Sequence, residues 1–266
     1  MNRARPILAY GLIVGVGVAA FLYPFWLPRT ALPNEAHSSD APLVAAVVGA
    51  LVLAAIALEV RRGTMNGATV AILGVLSASA GLMRVLALPG GGNGIFFLVV
   101  LAGAAFGPRF GVLLGLCAMA VSALITGGIG PWLPFQMLAL CWMGGSAGLV
   151  GQVTRRLRPG AEVATLAGFG WVWGFVYGAI MNLWFWPFAI GQGPLAWHPG
   201  LSAGATVHHY WSFYVITSFA WDAAGALTNA LLIAVTGRAL LRSMRRFADR
   251  LEPAAELIGE PAMAGV

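Results

Sequence analysis

Few side chains in this sequence could do chemistry, and two of them lie inside apolar segments. Asp222 sits within a run from about 210 to 236, and Arg84 lies one turn from the end of a run from about 64 to 88. An ionisable residue within a membrane is costly to keep, and it marks a functional site by default. At 1.5 Å per helical residue, Asp222 falls about 18 Å from the outer end of its segment, which places it about 12 Å from Arg84 in depth. A direct pair would have to bridge that difference. Alternatively, Arg84 snorkels to the interface and Asp222 is neutral or hydrogen-bonded to a neighbouring helix.

A second group is aromatic. Trp132, Trp184, Trp186, Trp197 and Trp211 fall in or beside the loops at one end, together with Phe185, Phe188 and Tyr210. Asn93, Gln136, Asn182, His208 and His209 lie among them. Rings interleaved with a few polar groups are what a small-molecule pocket needs. An aromatic belt at the membrane interface would produce the same composition, although tryptophan is sparse at the other end. Both readings stay open.

The stretch "LPGGGNGIFF" at Leu88–Phe97 invites a phosphate-loop reading. It lacks the Gly-Lys-Ser/Thr ending that such a loop requires, so Gly90, Gly91 and Gly92 are read as a plain turn or as a lid over a site. No Ser/His/Asp spacing, HExxH pattern or acid-rich motif occurs in the sequence. Cys117 and Cys141 are the two cysteines, both in apolar segments and without metal-ligand spacing. The expectation is therefore a protein without cofactor, metal or catalytic residues. An intramembrane enzyme acting on a lipid or prenyl substrate is the alternative, with Glu59, Glu162 and Asp222 as the acids at or within its core helices.

The elements that must position these residues follow from composition. The chain is 59% hydrophobic and 9% charged, against about 25% charged in soluble domains, and its mean hydropathy is +0.84. The fold class expected is an all-α polytopic membrane protein, and the formal charge of +6 points to membrane sidedness and not to nucleic acid. Apolar segments fall at about 6–27, 41–60, 64–88, 95–107, 111–127, 134–154, 162–188 and 210–236. The first is expected to be a retained helix and not a cleaved leader. The fourth reaches only about 20 Å and must be shielded by protein or re-entrant.

All 15 basic residues are arginine. If every segment crosses, Arg3, Arg5, Arg61, Arg62, Arg109, Arg155, Arg156, Arg158, Arg238, Arg242, Arg245, Arg246 and Arg250 share one side, and only Arg29 lies in the opposite loops. The positive-inside rule makes the arginine side cytoplasmic, with both termini there. The glycine loop and the tryptophans are then external, where no ATP pool exists. The expected organisation is a two-helix addition at 1–62, a six-helix core at 63–240, and a cytoplasmic tail at 241–266 that lacks structure after Leu251. Gly67, Ala71, Gly74 and Ala78 form small-xxx-small pairs on segment 64–88, and Ser77 with Gly81 forms another. Such faces let helices approach closely, either within the bundle or against a partner subunit.

The six-helix core, the glycine loop after its first helix, and the pieces "FGPRFG" and "GGIGPWLPFQM" resemble the substrate-binding S components of energy-coupling factor (ECF) transporters. The likeness spans about 64–240. It implies a non-catalytic subunit of a bacterial cell membrane that binds a vitamin externally, working with a transmembrane T component and two cytoplasmic ATPases. It further implies that Gly90–Gly92 form the lid, and that Asn93, Trp132, Gln136, Asn182, Trp184, Trp186, His209 and Trp211 line the pocket. Gly67, Ala71, Gly74 and Ala78 would form the docking face. The likeness extends to the cobalamin-type S components, although the external tryptophans would suit riboflavin or thiamin as well. The two additional N-terminal helices depart from the family pattern.

Overall fold

The structure, a computed structural model, describes residues 4–31, 35–86, 94–190 and 193–256. The described residues form nine α-helices and two short 3-10 turns joined by loops, and contain no strand. The helices are α1 (Ala4–Leu22), α2 (Ala41–Arg61), α3 (Gly67–Met83), α4 (Ile95–Phe106), α5 (Pro108–Thr126), α6 (Leu133–Thr154), α7 (Pro159–Phe185), α8 (Ala203–Thr217) and α9 (Phe219–Glu256). Five are long and apolar enough to cross a membrane, and three shorter apolar helices accompany them. Side chains such as Leu53, Leu124, Val153 and Val235 are largely exposed around the outside, as expected for a surface that lipid covers.

Local signals set the helix ends. Asn66 caps α3 by accepting the Thr69 backbone N–H at 2.9 Å, which satisfies one orphan donor of the first turn. Gly107 (φ +95°) makes the abrupt turn between α4 and α5, and Gly127 (φ +66°) ends α5 in the left-handed region, where a side chain would be strained.

The short α4 is the centre of the bundle. Most of it is buried, and it packs against α3, α5, α6, α7 and α9. This is the shielded form of the two anticipated from its length. Its first turn is also satisfied from outside, because the Phe97 N–H donates to Oδ1 of the buried Asn229 at 3.0 Å.

The tightest packing joins α4, α5 and α6 through glycine. A Cβ on Gly144 would collide with the carbonyl oxygen of Gly111, and one on Gly111 would collide with that of Gly144. Gly115 lies against Leu140, Gly148 against Pro108 and Gly151 against Ala104. Backbones this close gain dispersion contacts and exclude lipid, which is how helices associate where water supplies no driving force. Helix α7 packs along α9 in the same manner, with Gly174 against Ala226 and Gly178 against Asp222. Helices α1 and α2 pack on each other and on α6, and α1 also touches α7.

Two expectations are corrected. The segment at 210–236 is not one helix, and 189–209 is not all loop. Ser202 caps a separate helix, α8, by accepting the Ala205 N–H. Ser218 (φ −130°) then breaks the chain before α9 begins. The break is held from α7, because Asn182 Nδ2 donates to Ser218 Oγ at 2.7 Å. The second correction concerns the C-terminal region. Helix α9 runs through residue 241 and past Leu251 to Glu256. Leu241 and Met244 are buried on one face, while Arg242 and Arg246 stay exposed on the other, an amphipathic pattern that sustains a helix beyond the apolar part.

Candidate functional site

The break at Ser218 changes where the two intramembrane charges lie. Asp222 falls in the first turn of α9 and not at mid-segment. Its carboxylate lies against Gly178, seven residues before the α7 end at Phe185, or about 10 Å along the axis. Arg84 follows the last residue of α3, and its Nη1 contacts Met119 Sδ at 3.2 Å. Met119 is seven residues before the α5 end at Thr126, again about 10 Å. The two charged groups are therefore at similar depth.

They do not form an ion pair. The ion pairs among the described residues are His37–Asp40, Arg109–Glu59 and Arg245–Glu162. Instead, Tyr177 lies in the fields of both Arg84 and Asp222, its ring 4.6 Å from that of Phe96. The Tyr214 hydroxyl interacts with Asp222, yet Asp222 Oδ2 is buried without a hydrogen-bond partner. A buried carboxylate oxygen without a donor is costly, and a donor placed there would be held firmly.

The aromatic residues gather at the same end of the bundle, in varied roles. The Trp132 ring lies 6.2 Å from that of Trp184, and its Nε1 donates to the Gly128 carbonyl at 3.3 Å. Gln136 Oε1 and Trp184 Nε1 are buried and unpartnered. Trp186 is buried, donates to the Leu195 carbonyl at 3.0 Å, and packs on Phe25 and Tyr210. Asn182 is engaged by Gly178, Thr217 and Ser218. His209 lies within 3.3 Å of the Ala196 carbonyl, and Trp211 is half exposed on α8. Gly90, Gly91, Gly92 and Asn93 lie outside the described residues.

His37, in the connection between α1 and α2, is at the centre of this end. It is fully buried, with Nδ1 donating to Asp40 Oδ2 at 2.7 Å. Its ring lies 4.2 Å from Phe135, 4.6 Å from Phe188 and 5.6 Å from Tyr23, and Trp184 is also in range. The loop joining α1 to α2 is thereby inserted between α6 and α7. The His-x-x-Asp spacing was visible in the sequence, but the rings that enclose it come from distant parts of the chain. Tyr177 and Tyr214 carried no distinguishing signal.

Gly67, Ala71, Gly74 and Ala78 are all exposed, and a Cβ on Gly67 or Gly74 would meet nothing within 4 Å. By contrast, Ser77 and Gly81 are buried, with Gly81 against the Ser122 backbone. Thus α3 has two small-residue faces, one packed on α5 and one unoccupied.

One comparison with known proteins is positive. The family model described as "ECF transporter, substrate-specific component" matches residues 68–236. No curated protein and no solved structure matches the chain.

Proposed function

The chain belongs to the substrate-specific components of ECF transporters, and from that membership we propose that it captures a vitamin-class micronutrient between Arg84, Tyr177 and Asp222. As a substrate-binding subunit it works with a T component and ATPases. In this reading ATP hydrolysis is left to those partners, and the subunit itself catalyses no reaction.

The observation that carries the proposal is the pair of charges without mutual contact. Arg84 and Asp222 lie at similar depth, both act electrostatically on Tyr177, and they do not pair with each other. The connection at 84–94 contains no acidic residue that could neutralise Arg84. A guanidinium and a carboxylate left apart in a membrane bundle call for a ligand that serves both. Such a ligand presents an acceptor or anionic group to Arg84 and an N–H or O–H donor to Asp222 Oδ2. Trp132, Gln136 and Trp184 supply the apolar wall and further unpartnered polar atoms. A large, partly aromatic vitamin of the cobalamin type is the finer reading, supported by that aromatic content.

The arginine-rich end is cytoplasmic in this proposal, with both termini on that side of a bacterial cell membrane. The exposed stripe Gly67, Ala71, Gly74 and Ala78 is the docking face for the T component, supported by its exposure and by the open space around Gly67 and Gly74 among the described residues.

The test is mass spectrometry of small molecules retained by the detergent-purified protein in the absence of ATP. A single micronutrient should accompany the wild type at near-stoichiometric amounts. Arg84→Gln and Asp222→Asn should each weaken its binding by about tenfold or more, the usual scale for a charge-assisted hydrogen bond. Wild-type affinity in both variants would refute the site.

A further inference from the structure

The opposite end of the bundle carries an open basin of about 820 Å³. Four arginines from three regions of the chain line it: Arg109 in the first turn of α5, Arg155 and Arg156 just after α6, and Arg245 of α9. Asp249 is the acidic residue in the lining, and Ala104, Ala105 and Phe106 at the end of α4 give it an apolar side.

The four guanidiniums are not equivalent. Arg109 is paired with Glu59 at 3.4 Å. Arg245 is clamped by both oxygens of the buried Glu162, at 2.9 and 2.5 Å. Neither glutamate lines the basin. Arg155 and Arg156 are exposed and make no ion pair among the described residues. The basin therefore presents two uncompensated guanidinium forks beside two that are held in place by carboxylates behind them.

We propose that this basin binds the phosphate group of an anionic phospholipid. Guanidinium forks match phosphate oxygens two at a time, and basic pockets between membrane helices are suited to anionic headgroups. The surroundings favour a lipid over free phosphate. Leu149, Gln152 and Val153 share one face of α6, at positions i, i+3 and i+4, and Arg156 follows two residues past its end. Leu149 and Val153 are strongly exposed, and Gln152 and Arg156 line the basin. An acyl chain laid along Leu149 and Val153 would lead its headgroup into the arginines. A concave basin also suits a compact tetrahedral group better than an acidic protein helix.

The experiment is native mass spectrometry of the full chain with phosphatidylglycerol or phosphatidylcholine of identical acyl composition. It is run on wild type, on the double variant Arg155→Gln/Arg156→Gln, and on Arg29→Gln as a charge control at the other end. Wild type should retain phosphatidylglycerol in clear preference to phosphatidylcholine. The double variant should lose that retention by roughly tenfold or more, the scale expected for two basic groups near an anionic headgroup. Arg29→Gln should change nothing. A thermal shift produced by phosphatidylglycerol in wild type and absent in the double variant separates lost binding from lost folding. Equal retention of the two lipids, or unchanged retention in the double variant, would overturn the proposal. So would displacement of the lipid by millimolar inorganic phosphate, which would make the basin a free-anion site. Loss of the T component with lipid retention intact would make it a protein contact and overturn the proposal equally.

Discussion

The same substitution should have opposite effects at two glycines, Gly144→Ala in α6 and Gly74→Ala in α3. At Gly144 the new methyl would strike the backbone of Gly111, with Val99 Cγ1 already 3.1 Å away on another side. A carbonyl fixed in a helix cannot rotate aside, so α5 and α6 must separate along their length. Overpacking of this kind costs about 1–3 kcal/mol, and the loss of neighbouring contacts at Gly115, Gly148 and Gly151 argues for the upper part of that range. The gain from replacing a helical glycine returns about 0.5–1 kcal/mol. At Gly74 the methyl meets nothing within 4 Å, so only the gain remains. The two variants should therefore differ by roughly 2–3 kcal/mol. For a chain of this size that corresponds to about 5–10 °C in melting temperature. Thermal unfolding in one detergent, followed by intrinsic tryptophan emission, makes the comparison directly. If Gly144→Ala melts at or above Gly74→Ala, the glycine seam is not the tight contact described here.

Other substitutions probe other parts of the molecule. Gly74→Leu combined with Ala78→Leu should leave substrate binding and melting near wild type, since both positions face outward, yet abolish uptake by the assembled transporter; normal uptake would remove the docking face from α3. His37→Ala should destabilise the tryptophan end by about 2–4 kcal/mol, because it leaves Asp40 without its donor and a cavity between Phe135 and Phe188. The loop at 35–40 would then become protease-sensitive, and resistance equal to wild type would show that the imidazole does not anchor it.

The all-helical, multi-pass character of the chain was legible because it rests on bulk composition. Arginines assigned to one side from spacing alone, including Arg109, Arg155, Arg156 and Arg245, do converge on one basin. The short fourth segment was legible for a similar reason, since length alone required protein around it. The break at Ser218 was not legible. No glycine or proline marks it, and in "YVITSFAW" only Thr217 and Ser218 separate two apolar stretches that otherwise read as one run. It depends on Asn182 of another helix, a tertiary contact that overrides local preference. The depth of Asp222 was misjudged as a direct result. Small-residue faces were visible everywhere, but glycines look alike in sequence. Only packing shows that Gly111 and Gly144 touch while Gly67 and Gly74 do not.

The N-terminal hairpin is fastened to the core at both ends. Near the arginines, Glu59 of α2 accepts from Tyr10 of α1 at 3.2 Å, from Arg109 of α5 at 3.4 Å, and from Thr64 before α3. At the other end, His37 is locked among the rings of α6 and the α7 terminus. A hairpin bolted top and bottom has no freedom to swing independently. Any reorientation of the core in the bilayer must carry α1 and α2 along as ballast, displacing the lipid around them too. Because they ride on α6 and α7, while α3 packs on α4 and α5, this added bulk rests on helices other than the one that carries the exposed stripe Gly67, Ala71, Gly74 and Ala78.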